Sequence, residues 1–126
     1  MRKIEMIVER TNSGFSAYAS KYAVYTTGND FTELKSNMLE ALNLYFEDER
    51  KSITENDIKV SLDLPQFFEF YKVINAKALS QRIGMNQSLL AQYIKGIKKP
   101  SAMQTKRILK GVQQVGKELS EMQFLL

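Results

Sequence analysis

Gln87, Ser88, Gln92 and Lys95 are the side chains whose types and spacing could do the most specific chemistry in this sequence. Ser88, Gln92 and Lys95 stand at i, i+4 and i+7, which on a helix is one stripe. Glutamine can hydrogen-bond an adenine edge bidentately, lysine can reach guanine or phosphate, and serine serves either. Asn86 precedes the stripe as a further polar contact, and Lys98 and Lys99 follow it. Those two lysines are placed to grip phosphates, which fixes position without reading sequence. The chemistry expected is therefore recognition of double-stranded DNA. Other chemistry is thinly supplied. The chain has no histidine and no cysteine, so the commonest general base, the thiolate nucleophile and the usual zinc ligands are missing. No Gly-rich phosphate loop or nucleophile motif occurs. Glu5, Glu9, Asp30 and the run Glu47-Asp48-Glu49 could be imagined around a metal, but such a run reads better as a solvated helix end. No catalytic residue, metal or cofactor is expected.

A reading helix of this kind must be held proud of its neighbours, and residues 75–101 supply the pieces of a helix-turn-helix. Asn75 can cap a first helix running through Ile83, and Gly84 offers the positive φ that turns the chain. Asn86 or Ser88 can cap a second helix, which runs to Lys95 before Gly96 stops it. Small Ser80 falls where the helices would cross, with Leu79, Ile83, Leu90, Tyr93 and Ile97 as the expected core between them.

Charge supports the same reading. Residues 1–62 carry 8 Lys/Arg and 10 Asp/Glu, a net −2, whereas residues 63–126 carry 10 and 4, a net +6. Between Glu69 and Glu118 every charged residue is a cation, from Lys72 to Lys117. A folded segment of one sign attracts a polyanion. Behind the helix pair, Ile108, Val112, Val115, Leu119 and Met122 step by four and three along a helix beginning near Ser101. That seam, with the apolar tail Phe124-Leu125-Leu126, predicts a homodimer interface or a higher homo-oligomer, which would let two reading helices span two half-sites.

The first half has a different period. Ile4, Met6 and Val8 alternate with charged residues; Thr11-Asn12-Ser13-Gly14 is turn chemistry; Phe15, Ala17 and Ala19 alternate again. Residues 23–27 make a third strand ending at Gly28-Asn29. Asp30 with Glu33 suggests a capping box, with Thr32 as the rival cap, before Leu34, Met38, Ala41, Leu42, Tyr45 and Phe46 at helical spacing. Ile58, Val60, Leu62 and Leu64 alternate as a fourth strand. Pro65 then opens the helical half. The expected architecture is α+β: a β-β-β-α-β domain over residues 1–64, then an all-α helix-turn-helix domain over residues 65–126. No apolar run of roughly 18 residues suggests a membrane span. The charged start, Met1-Arg2-Lys3-Ile4-Glu5, does not read as a signal peptide, so a cytoplasmic location is expected.

Two resemblances add to this reading. Leu79-Ser80, Gly84, Asn86-Gln87-Ser88, Leu90 and Gly96-Ile97-Lys98-Lys99-Pro100-Ser101 resemble the Cro/CI-like (XRE) helix-turn-helix pattern over the 27 residues 75–101. Ser80 stands where alanine is commoner, and Ile94 where glutamate is frequent. The N-terminal order, with Ile7-Val8-Glu9-Arg10, Gly14-Phe15, Gly28-Asn29-Asp30-Phe31-Thr32-Glu33-Leu34 and Glu40-Ala41-Leu42, looks like HicB antitoxins. Residues 19–22 lack the proline-containing stretch usual there. The resemblance implies a truncated RNase H-like domain that covers the active site of a HicA-like mRNA-cleaving toxin, and repression of the shared operon at operator DNA. Two alternatives stand beside it: an XRE-type repressor whose first domain senses a small ligand or another protein, and a truncated RNase H-type nuclease, which would need clustered carboxylates around divalent metal.

Overall fold

A computed structural model describes residues 3–126; the reading of Met1 and Arg2 lies outside them. The chain is mixed α and β and divides into two compact units, residues 1–70 and 71–126.

In the first unit, strands β1 (Ile4–Arg10), β2 (Phe15–Ala19) and β3 (Tyr25–Gly28) form an antiparallel meander. Helix α1 (Phe31–Tyr45) follows, and β4 (Ile58–Leu62) returns parallel to β1, giving the sheet order β3-β2-β1-β4. Alternation decides the buried face. Ile4, Met6, Val8, Ala17 and Ala19 point the same way and meet Leu34, Met38 and Leu42 of α1 in the main core. Asp30, not Thr32, caps α1, its carboxylate accepting from the Glu33 N–H at 2.8 Å. The long return to β4 is pinned by Asn43. Its amide donates to the Ile53 carbonyl at 3.0 Å, and its oxygen accepts from the Ile53 N–H at 2.7 Å.

The fourth strand is shorter than alternation suggests. Leu64 opens helix α2 (Leu64–Phe70) instead of extending β4. Asp63 is the reason: its carboxylate accepts from the Gln66 N–H at 3.1 Å and starts the helix, while its own N–H still donates to the Val8 carbonyl at 2.9 Å. Gln66 then behaves as a short strand, its amide donating to the Arg10 carbonyl at 2.7 Å and accepting from the Arg10 N–H at 2.9 Å. The helix begun at Pro65 is thereby tied to β1. The compact units part between Phe70 and Tyr71, not at Leu64-Pro65.

The second unit is helical. Helices α3 (Ala76–Ile83) and α4 (Gln87–Ile94) are joined by a tight turn, and α5 (Ala102–Ser120) packs on α3 before a 3-10 turn at Glu121–Leu125. Leu79, Ser80, Met85, Leu90, Tyr93 and Ile108 are its buried side chains. Among the described residues no helix is long and apolar enough to cross a membrane.

Candidate nucleic-acid interface

The turn between α3 and α4 sets the site. Gly84 takes φ 67°, a conformation that costs a side-chain-bearing residue about 1 kcal/mol or more. From there its N–H and that of Met85 reach back to the carbonyls of Gln81 and Ser80, at 3.3 and 2.9 Å. Those bonds satisfy the end of α3 and throw the chain across it. Asn75 caps α3 through the Ala78 N–H at 3.0 Å, and Asn86, not Ser88, caps α4 through the Leu89 N–H at 3.2 Å. The Asn86 side-chain oxygen is thus engaged by its own helix. Ser80 is buried, its hydroxyl donating to the Lys77 carbonyl at 2.6 Å, so the crossing residue carries no unsatisfied group.

With Leu90 and Tyr93 inward, α4 presents Gln87, Ser88 and Lys95 exposed, and Gln92 half-buried between them. The stripe read from spacing therefore lies on one outer face. Gly96, at φ 76°, ends the helix, and the Ile97 and Lys98 N–H groups both donate to the Gln92 carbonyl, at 2.9 and 3.3 Å. This closure sets exposed Lys98 and Lys99 beside the end of α4. It also turns Ile97 outward. Ile97 is 69% exposed, so its expected place in the core is corrected, whereas Met85, absent from the expected core, is buried. Ser101 caps α5 through the Gln104 N–H at 3.1 Å.

The seam on α5 divides along its length. Ile108 is fully buried inside its own unit and is not available to a partner, which corrects its place in the expected interface. Val112 and Val115 are half-buried and, with Val73, Ile74, Ala78, Leu79 and Leu119, line an apolar groove of about 300 Å³ between α3 and α5. Leu119 and Met122 are exposed, and Met122 lies on the 3-10 turn beyond α5. At the rim of the groove the Arg82 guanidinium meets Glu118 at 2.7 Å, and Gln114 donates to the same carboxylate at 3.2 Å. The Arg82 hydrogen bond, then that of Gln114, holds the Glu118 carboxyl below the usual carboxylate range.

Two features of the second unit left no mark in the sequence pattern. Gly111 is buried where α5 crosses α3, and a Cβ there would sit 2.3 Å from the Ile83 Cγ2. Arg107, which counts in the sequence as one cation among ten, donates to the carbonyls of Ile83 and Gly84, both at 2.8 Å. The charge division sharpens at the structural boundary. Residues 1–70 hold 8 Lys/Arg against 12 acids, a net −4, and residues 71–126 hold 10 against Glu118 and Glu121, a net +8.

On β1, Glu5 and Glu9 alternate with the core residues and so lie on the sheet face away from α1. Ser61 donates to the Glu5 carboxylate at 2.7 Å. Glu9 is pushed above the usual carboxylate range by burial first, then by its hydrogen bond to Asp63 and that neighbour's charge. Tyr18 titrates high because of burial and the nearby charges of Asp63, Glu9 and Glu5. Asp30 is occupied as a cap, and Glu47–Glu49 forms an exposed 3-10 turn. Among the described residues no group of three or more acids stands close enough to hold a metal ion.

Compared with known proteins, the chain matches no family model, and no curated protein or solved structure matches it either.

Proposed function

We propose that this protein is a homodimeric transcriptional repressor whose second unit binds operator DNA through α4 and whose first unit captures a protein partner. The observation that carries the reading is the outer face of α4. Gln87, Ser88, Gln92 and Lys95 form one polar stripe on a helix set at a fixed angle by the Gly84 turn, in a unit of net charge +8. Hydrogen-bonding side chains on a raised helix suit base edges in the major groove, and the surrounding cations suit phosphates. The apolar groove along Val112, Val115 and Leu119, with Met122 exposed beyond it, is the surface proposed for a second copy. A two-fold pair would set two reading helices on half-sites one turn of DNA apart.

The net charge of −4 on the first unit favours a basic partner over a nucleic acid. In keeping with the resemblance of residues 7–42 to HicB antitoxins, we propose a HicA-like ribonuclease toxin as that partner, held against a truncated RNase H-like domain in the cytoplasm. Such an enzyme binds a polyanion and so offers a basic surface to a negatively charged inhibitor. The protein itself would be an antitoxin without enzymatic activity.

The test is selection from a random duplex pool with the full-length chain, followed by a repression assay with the selected site upstream of a reporter. A selected site with two half-sites related by two-fold symmetry is expected. Failure to enrich any duplex at moderate salt overturns the DNA-binding reading. Co-expression with a HicA-like toxin then tests the first unit, and unrelieved growth arrest overturns the antitoxin assignment alone.

A further inference from the structure

Both arginines of the second unit are engaged by the protein itself: Arg82 by Glu118, and Arg107 by the turn that launches α4. Arginine is the commonest side chain for reading guanine and a strong phosphate ligand, so a direct DNA contact is the obvious rival role for Arg107. The geometry points elsewhere. Gly84 and Met85 satisfy the carbonyls of Ser80 and Gln81, which leaves those of Ile83 and Gly84 beyond the reach of the helix-ending hydrogen bonds. A single nitrogen of Arg107, Nη2, donates to both at 2.8 Å. It sits as a cation at the negative end of the α3 dipole. By bridging consecutive carbonyls it sets the plane of the peptide between residues 84 and 85, two residues before α4 begins.

The approach of α5 makes this bridge possible. Gly111 lies one turn further along the same face of α5, in contact distance of Ile83, and its missing side chain lets the two helices close. Ile108, between them in sequence, is fully buried beneath. Arg107, Ile108 and Gly111 are thus one docking surface that holds the end of α3 and the turn from behind.

We infer that Arg107 is a positioning residue for DNA recognition: it acts on the direction of α4 through the turn carbonyls and contributes no phosphate contact. The inference rests on the DNA-binding reading proposed above. Salt dependence separates the two roles, because each phosphate neutralised releases counterions and adds about 0.9 to the slope of log affinity against log salt. A residue that only aims the helix leaves that slope alone.

The experiment uses the full-length chain with R107M, R107K and, as the phosphate-contact comparison, K98M. Each is titrated across a salt series against the duplex selected by the wild type and a scramble of it. R107M is expected to lose roughly tenfold on the selected duplex, little on the scramble, and nothing in slope, whereas K98M loses on both and drops the slope by about 1. R107K keeps the charge but shortens the reach, so it is expected to lose discrimination too, and it supplies the answer if R107M proves unfolded by circular dichroism. Amide exchange in the free protein gives a readout without DNA: the Gly84 and Met85 amides should exchange faster in R107M. Equal loss on both duplexes with a reduced slope makes Arg107 a phosphate contact and overturns the inference, as does wild-type binding by R107M or unchanged exchange at the turn. A wild type that prefers no duplex overturns the DNA-binding reading beneath it, while the exchange arm still reports whether the bridge holds the turn.

Discussion

At the residue scale, the exposed stripe and the loop lysines should fail in different ways. On the proposed DNA-binding reading, Gln87→Ala or Gln92→Ala would remove a directional hydrogen bond to a base, so each is expected to weaken the selected duplex by roughly 1–3 kcal/mol and leave a scramble nearly unchanged. Equal loss on both duplexes would show that α4 is not the reading face. Glu9 makes a separate prediction about pH. Its carboxyl is raised in the folded chain by burial and by Asp63, so the folded state binds that proton more tightly than the unfolded chain. Its contribution is therefore fully present below the unfolded pKa and is lost as pH rises through the raised folded value. Glu9→Gln, which keeps a neutral partner for Asp63, should be more stable than wild type at neutral pH and should flatten that part of the stability profile. Denaturant titrations of both proteins at several pH values check this, and parallel profiles would refute it. Glu118 has the opposite sign: lowered by Arg82, it supports the fold above its unfolded pKa and is lost as pH falls through the folded one.

At the element scale, two glycines on α5 with the same helical conformation should respond oppositely. Gly111 faces Ile83 and Leu79, at 2.3 and 3.3 Å from an added Cβ. Gly111→Val overfills that crossing and should cost about 2 kcal/mol, a fall of roughly 10 °C in the melting temperature of a unit this small. Gly116 has nothing within 4 Å, so Gly116→Ala should gain up to about 1 kcal/mol from helix propensity. Thermal melts followed by circular dichroism at 222 nm decide both, and a stabilised Gly111→Val would mean that α5 does not pack as described. The caps belong to the same scale. Asn75→Ala and Asn86→Ala each remove a side-chain acceptor from a helix start and should cost about 1 kcal/mol. Asn86→Ala should also lower affinity for DNA indirectly, through fraying of α4.

For the whole molecule, the groove and the tail carry the prediction. Val115 lies half-buried in the groove, and Leu119 is 67% exposed beside it. Val115→Glu places an ion where a second copy would desolvate it, so light scattering should find a monomer whose affinity for a two-half-site duplex collapses to that of one half-site. A variant that remains dimeric would move the interface away from α5. The two units carry opposite net charges, −4 and +8, so on the proposed reading they serve different partners, and disabling α4 should leave any function of the first unit intact.

Local chemistry determined much of this arrangement. Asn75, Gly84, Asn86 and Ser101 each act within a few residues of their own position, so the starts of α3, α4 and α5 and the stops of α3 and α4 were legible in the sequence, as were the strand meander and the apolar face of α1. Side-chain periodicity, being equally local, placed Gln87, Ser88, Gln92 and Lys95 on one face. What only the tertiary structure decided depends on groups far apart in the chain. Gln66 takes the end of β1, 56 residues away, and draws the Pro65 helix into the first unit. Ile108 and Val112 share one apolar period, yet only the packing of α3 buries the first and leaves the second lining a groove. Arg107 and Gly111 have no local signature at all, because the carbonyls that one binds and the side chain that the other admits lie more than 20 residues earlier. A period tells which residues share a face; which neighbour covers that face is settled only when the chain has folded.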